Sequence, residues 1–127
     1  MSVISFIRNL FNSITEYVET IHPNGTRIWQ KNGMLHRENG PAVIRTDLSK
    51  FWYLNGELHR TDGPAVICDE YQAWYLNGKR HREDGPALIW ANGSKYWFLN
   101  DVEIEYNVYH KSKIHFKEIK FTIKDGL

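Results

Sequence analysis

The chain has 127 residues, with 16 Lys and Arg against 15 Asp and Glu, which leaves a formal net charge of +1. This length predicts one domain with a useful core, and the balanced charge disfavours a protein that binds nucleic acid by counterion release. The one cysteine, Cys68, excludes an internal disulfide and fits a reducing compartment. No run approaches the roughly 18 apolar residues of a membrane span, and the N-terminus lacks the basic region and cleavage site of a secretory signal. We therefore expect a cytoplasmic protein.

Residues 1–14 are predicted to form an N-terminal helical cap. Their apolar side chains recur with the spacing of an amphipathic helix: Val3, Phe6, Ile7, Leu10, Phe11 and Ile14. Arg8 is the one basic residue on the polar face, which argues against a helix on a membrane surface. The apolar stripe is expected to cover the first unit of the region that follows. Contact with a partner or with a second copy is the alternative.

Residues 15–104 repeat themselves. Residues 36–44 recur as 59–67 and as 81–89, at spacings of 23 and 22 residues, and a tryptophan column runs in step at Trp29, Trp52, Trp74 and Trp97. A period in this range indicates one supersecondary unit that is stacked several times. Residues 21–29 match 89–97 in register, so the repetition begins before the first His-Arg pair.

Each unit is predicted to be a β-hairpin. Asn-Gly between two apolar runs is typical of a type I′ turn, which needs positive φ at both central residues; it stands at 32–33, 55–56 and 77–78, and Asn-Asp takes its place at 100–101. Such a turn pairs Tyr53 with Leu58, Trp52 with His59 and Phe51 with Arg60. In the last hairpin Trp97 faces Ile104. An apolar residue in the histidine position favours a packing role for the histidines.

Gly-Pro-Ala follows each of the first three hairpins, at 40–42, 63–65 and 85–87. The glycine is expected to supply a permissive backbone, and the proline to lie at a strand start or edge. Residues 105–127 leave the pattern and are predicted to form an atypical C-terminal cap. This cap would hold one or two helical turns at 105–111 and then a strand or hairpin.

The pattern Trp-x-x-Asn-Gly-x-x-His-x-x-x-Gly, at a period of 22–23 residues, resembles MORN repeats. The variant with Trp-Tyr-Leu-Asn-Gly and His-Arg-x-Asp-Gly-Pro-Ala is similar to repeat proteins of unknown function from tailed phages and giant viruses. The resemblance implies a mostly β fold, an antiparallel β-hairpin repeat array that forms an elongated twisted sheet. It also implies a binding or scaffolding module in the host-cell cytoplasm. MORN units carry glycine where Arg37, Arg60 and Arg82 stand, and Pro-Ala after the second glycine is unusual.

The His-Arg columns are the sharpest candidates for a site. Functionally, Arg37, Arg60 and Arg82 could hold phosphates, nucleotides or an acidic strip of a protein. Structurally, the histidines would pack on the tryptophans, and the arginines would pair with nearby acids, namely Glu38, Asp62, Glu83 or Asp84. Both interpretations stay open at this point.

The sequence gives little support for a catalytic site or a metal-binding site. Histidines one unit apart lie about 10 Å from one another, at about 4.8 Å per strand, too far to share a metal ion. The sequence has no nucleophile elbow, phosphate loop or dinucleotide fingerprint. We therefore predict no catalytic residue, no metal site and no cofactor.

A second column of aromatic residues, Tyr53, Tyr75 and Phe98, alternates with the tryptophans and is predicted to be exposed on the opposite face. An exposed stripe of this kind marks an interaction site or a seam between copies. We predict non-enzymatic binding of a protein partner through an aromatic and arginine-lined face. Given the resemblance to phage sequences, the partner is expected to be a host factor, such as a defence component, that the protein inhibits. The alternatives are sequestration of a nucleotide or nucleic acid by the arginine column, and a structural role in a virion or scaffold.

Overall fold

The computed structural model describes residues 15–106. The predicted N-terminal helical cap at 1–14 and all but the first two residues of the predicted C-terminal cap at 105–127 lie outside the described residues. Within 15–106 the regular elements are fourteen β-strands, and all strand pairings are antiparallel. The prediction of a mostly β, antiparallel protein is confirmed. No helix in this part of the chain has the length and apolar character that crossing a bilayer requires.

The strands are short, mostly two or three residues long, because turns and Gly-Pro steps interrupt the chain. In chain order they are β1 (Tyr17–Ile21), β2 (Arg27–Lys31), β3 (Met34–Leu35), β4 (Val43–Ile44), β5 (Lys50–Phe51), β6 (Tyr53–Leu54), β7 (Glu57–Leu58), β8 (Val66–Ile67), β9 (Tyr71–Ala73), β10 (Tyr75–Leu76), β11 (Lys79–Arg80), β12 (Leu88–Trp90), β13 (Lys95–Leu99) and β14 (Val102–Ile104).

Hydrogen bonding groups these strands into one main sheet and two ribbons. The main sheet has ten strands in the order β1-β2-β4-β5-β8-β9-β12-β13-β14, with β3 paired to β2, while β6–β7 and β10–β11 form separate two-stranded ribbons. The separation occurs at a tryptophan. The amide of Trp52 donates to the carbonyl of Ala65 at 2.8 Å, whereas its carbonyl accepts from the amide of His59 at 3.0 Å. The chain therefore changes partners at this residue, and the hairpin branches away from the main sheet.

The hairpin turns have the predicted geometry. Asn32, Asn55 and Asn77 have φ of 50°, 51° and 49°, and the glycines that follow them have φ of 81°, 81° and 77°. These values fit type I′ turns, so the turn prediction is confirmed. In the last turn Asp101 replaces the glycine at a φ of 66°. Its carboxylate accepts the amide of Arg80 at 2.8 Å, a bond that glycine could not make.

The predicted register holds near the turns and fails further from them. Tyr53 pairs with Leu58 and Trp97 with Ile104, as expected. The predicted pairing of Phe51 with Arg60 is wrong, because Phe51 lies between Val43 and Val66 in the main sheet. The amide of Arg60 donates instead to the carbonyl of Tyr75, in the next unit, at 3.0 Å.

A row of apolar side chains crosses the main sheet and contains part of the core. Cross-strand pairing places these side chains in one line: Ile28, Val43, Phe51, Val66, Ala73, Leu88 and Tyr96. Val66 and Ala73 in the middle of the row are 2% and 1% exposed. The alanines after the prolines, Ala42, Ala65 and Ala87, have no exposed surface. Small residues at these positions let successive units approach closely.

Candidate functional site

The arginines that the sequence singles out are held inside the structure by the tryptophans. In the second unit the Cζ atom of Arg60 lies 4.0 Å from the ring centroid of Trp52, within the range of a cation–π interaction. On its other side lies Gly63, where an added Cβ would be 3.0 Å from the same Cζ atom. We call this space between an indole and a glycine the arginine slot. Two further slots hold Arg37 between Trp29 and Gly40, and Arg82 between Trp74 and Gly85, at 3.9 and 4.0 Å from the indole centroids.

The slot gives the glycine of Gly-Pro-Ala a role that differs from the expected one. Gly63 is not among the residues with positive φ, so its backbone does not require glycine. The requirement is steric, because a side chain would occupy the place of the guanidinium. Gly40 leaves the most room, with a distance of 3.3 Å, and Gly85 the least, with 2.9 Å.

Gly63→Ala should therefore destabilise the protein by displacing Arg60 from its slot. We expect a loss of about 1–2 kcal/mol in the free energy of unfolding, typical of overpacking against a fixed group. Urea denaturation of wild type, G63A, R60A and the double variant measures the effect. Once Arg60 is replaced by alanine, the added methyl group should cost little. A full loss in the R60A background would show that the glycine is needed for another reason.

Hydrogen bonds inside the protein use the donors of the slotted arginines. Arg60 donates from Nε to the Oδ1 atom of Asp62 at 2.8 Å and from Nη1 to the carbonyl of Pro64 at 3.1 Å. Arg82 makes the equivalent bonds to Asp84 and Pro86 at 2.8 and 3.1 Å. The predicted pairing of arginines with nearby acids is thus confirmed for these two residues. The bond from Arg60 also holds the pKa of Asp62 below its usual range, so this carboxylate stays ionised at neutral pH.

The histidines connect successive units through their side chains. The Nδ1 atom of His59 accepts a hydrogen bond from the backbone amide of Asn77, at the turn of the next hairpin, at 3.0 Å. His36 accepts from Asn55 at 2.9 Å, and His81 from Asn100 at 3.1 Å. We call these three bonds the histidine latches. The histidine still lies across from its tryptophan as predicted, since the amide of His59 donates to the carbonyl of Trp52 at 3.0 Å. The group that lies over the indole is the guanidinium of Arg60.

The latches also account for the two ends of the described chain. At the first turn, the amide of Asn32 donates to the carbonyl of Glu16 at 2.8 Å, so β1 supplies the acceptor that a histidine supplies elsewhere. At the last hairpin, Ile104 stands in the histidine position, and no further Asn turn follows within residues 15–106. The ring of Tyr106 lies 4.8 Å from that of Trp97, on an indole that has no arginine slot.

The second aromatic column is less accessible than predicted. Tyr53 and Tyr75 are half-buried, and burial raises the pKa of Tyr75 above the usual range of a phenol. Phe98 is 5% exposed, and the Cζ atom of Arg80 lies 4.2 Å from its ring centroid. The prediction that Phe98 is exposed is therefore wrong. Its neighbours in the column are only partly available to a partner.

Three clefts lie on the face that carries the tryptophans. The first lies between β1 and the segment that follows β3, and the other two lie between successive connecting segments. Their volumes are about 540, 680 and 760 Å³ in chain order, a size that suits a ligand side chain or a small group. Each cleft is lined by one tryptophan. Leu54 joins Trp52 in the second cleft and Leu76 joins Trp74 in the third, whereas the first cleft has Gln30 beside Trp29. We call the three together the cleft row.

Carboxylates form the most exposed part of the cleft row. The side chains of Glu38, Asp62, Glu83 and Asp84 are 63%, 81%, 80% and 80% exposed. The side chains of Arg60 and Arg82, in contrast, are 21% and 23% exposed. The carboxylates of the row are therefore more accessible to a ligand than these two guanidinium groups. Sequence reasoning missed this surface, although the signal was present in the acids that follow each His-Arg pair and in the leucines two residues after Trp52 and Trp74.

Other reactive groups are not assembled into a site in the described part of the chain. Residues 15–106 contain no cluster of three His, Cys, Asp or Glu side chains that could hold a metal ion. Cys68 is half-buried, with its Sγ atom 3.4 Å from the carbonyl of Tyr71.

We compared the chain with models of known protein families, with curated proteins and with solved structures, and none of the three comparisons gave a match.

Proposed function

We propose that this protein is a non-enzymatic binding module that holds a protein partner on the cleft row. The observation that carries the proposal is the recurrence of the same type of cleft, with a tryptophan and an exposed carboxylate, in three successive positions. Catalysis needs one set of groups at one place, whereas a row of equivalent clefts suits an extended ligand with several contacts. Affinity then comes from many modest contacts.

The same geometry disfavours a ligand that is a nucleotide or nucleic acid. Phosphate recognition by arginine uses free, forked donors, but Arg60 already donates from Nε and Nη1 to neighbouring acceptors. The carboxylate of Asp62 is far more exposed than the guanidinium that it binds. We therefore propose the protein partner ahead of the phosphate ligand.

The resemblance to MORN repeats supports a binding or scaffolding role, and the resemblance to phage proteins supports a host factor as the partner. Inhibition of that factor, for instance a defence component in the host cytoplasm, is part of the proposal. This part of the proposal rests on the recurring residues of the hairpins.

The experiment uses the wild type and matched variants as bait and compares the proteins that each captures from a lysate of the native cell. L54Q/L76Q replaces an apolar lining residue of the second cleft and one of the third with a polar one. V102Q makes the same kind of change at Val102, which is 63% exposed on β14 and lines none of the three clefts. A partner retained by the wild type and by V102Q, but lost at least fivefold with L54Q/L76Q, supports the proposal. Equal capture by all three folded proteins would overturn it.

A further inference from the structure

The spacing of the cleft row follows from the order of the strands. Two residues before each cleft tryptophan stand Arg27 on β2, Lys50 on β5 and Gln72 on β9. In the main sheet one strand, β4 or β8, separates each of these strands from the next. At about 4.8 Å per strand, equivalent points in neighbouring units lie about 9.6 Å apart. A ligand that crosses the strands thus meets one cleft about every 9.6 Å.

This spacing matches one backbone conformation of a peptide closely. A polyproline II helix has three residues per turn and a rise of 3.1 Å, so every third side chain points the same way at intervals of about 9.3 Å. An extended β-strand fails because its side chains alternate, which sends every third one to the opposite face. An α-helix repeats after seven residues at about 10.5 Å, a poorer match, and with side chains it is about 10–12 Å wide.

The lining of the clefts indicates which side chains would enter. The exposed carboxylates of Glu38, Asp62 and Glu83 attract a cation. Trp52 and Leu54 provide apolar surface below them, and Lys and Arg are the residues that lay an apolar stem on such surface while the charge stays in water. Aromatic grooves are also the surfaces on which proline-rich segments dock.

We propose that the cleft row binds a polyproline II segment of a protein that carries Lys or Arg at every third position. This inference rests on the proposed function and names the class of partner segment. The three clefts take three successive cationic side chains, and the residues between them lie along the tryptophan-bearing face. The ends of the segment extend beyond the first and third clefts.

Two peptides of identical composition test the spacing. Isothermal titration calorimetry compares acetylated, amidated (Lys-Pro-Pro)₃ with Lys₃Pro₆, in which the same lysines are adjacent. We expect the periodic peptide to bind at least fivefold more tightly, and (Glu-Pro-Pro)₃ to show no binding. Equal affinity for the two lysine peptides would overturn the proposal, as would tighter binding of the glutamate peptide or of a helical peptide with lysine at every seventh position. Failure of all peptides to bind would overturn it as well.

Matched protein variants locate the contact. E38Q/E83Q removes two charges, one shared by the first and second clefts and one in the third, and we expect it to weaken (Lys-Pro-Pro)₃ binding at least threefold. E70Q/E103Q also removes two charges, at Glu70 and Glu103, which are exposed and line none of the three clefts, and it should leave the affinity unchanged. Equal loss with both variants would mean that only net charge matters, which contradicts the proposal. If the peptides fail while L54Q/L76Q still loses a captured partner, the polyproline inference falls and the proposed function stands.

Discussion

Replacing Trp52 with alanine should lower the free energy of unfolding by about 3 kcal/mol, near the lower end of the range for removing a packed tryptophan. The indole is half-buried and supports the guanidinium of Arg60 at 4.0 Å, so the change removes both apolar contact and a cation–π interaction. Urea denaturation followed by circular dichroism measures the loss. The matched control is W90A, because Trp90 is 38% exposed and contacts Tyr71 at 5.2 Å without an arginine. We expect it to cost about 1 kcal/mol.

A double-mutant cycle separates the interaction between the two residues from the loss of packing. If Arg60 stacks on Trp52, the combined cost of W52A and R60A should fall short of their sum by about 1 kcal/mol. Additive costs would mean that the two side chains do not stabilise one another. The contact in the arginine slot would then contribute nothing to the free energy of unfolding.

The second large effect is expected at the most buried latch. His36 is 5% exposed and accepts the amide of Asn55 at 2.9 Å in a part-buried bond, so His36→Leu leaves that amide without its acceptor. We expect a loss of about 2 kcal/mol, within the range for a buried donor that loses its partner. The measurement is again urea denaturation, with circular dichroism to confirm the native fold.

Two comparisons control this prediction. H36N keeps an acceptor near the position of Nδ1 and should recover about half of the lost stability. H59L breaks the equivalent bond to Asn77, which lies at an exposed site, so water can replace the acceptor and the cost should stay below about 1 kcal/mol. If H36N is as unstable as H36L, or if H59L costs as much as H36L, the latches do not stabilise the protein through their hydrogen bonds.

The hairpins could be predicted from the sequence because local rules decide them. Asn55-Gly56 specifies a type I′ turn, and a two-residue turn fixes the pairing of Tyr53 with Leu58. Neither result depends on distant parts of the chain. The same holds for Trp97 and Ile104 in the last hairpin.

The site could not be predicted in this way, because the alternation rule applies only while a strand continues. Counting back along the hairpin places Arg60 opposite Phe51, on the face away from Trp52. The return strand β7, however, ends at Leu58, so the chain leaves the ladder and Arg60 turns towards Trp52. The recurrence of a glycine at the position of Gly63 is the sequence signal for the slot. A glycine is needed there to leave room for the guanidinium, and not to allow an unusual backbone conformation.

The latches could not be predicted for a related reason. Ile104 in place of a histidine indicates only that an apolar side chain is accepted at this position. In the structure, the His81 latch joins its unit to Asn100 of the next one, a contact about twenty residues away that no pairing rule within a hairpin describes. The residue at the end of the array differs because it has no such neighbour within the described residues.

The arginines stabilise the fold, and we propose that the carboxylates of the cleft row contact the ligand. The most direct measurement is a ¹H–¹⁵N NMR spectrum of the arginine Nε–H groups, with and without (Lys-Pro-Pro)₃ and with inorganic phosphate. We predict upfield-shifted Nε–H signals from Arg37, Arg60 and Arg82, each of which moves to an ordinary position when its own tryptophan is replaced. The signals of Arg60 and Arg82 should also exchange slowly, because these two Nε groups donate to Asp62 and Asp84. Phosphate should leave all three unchanged. Arginine signals at ordinary positions in the wild type, or signals that shift on addition of phosphate, would contradict the account.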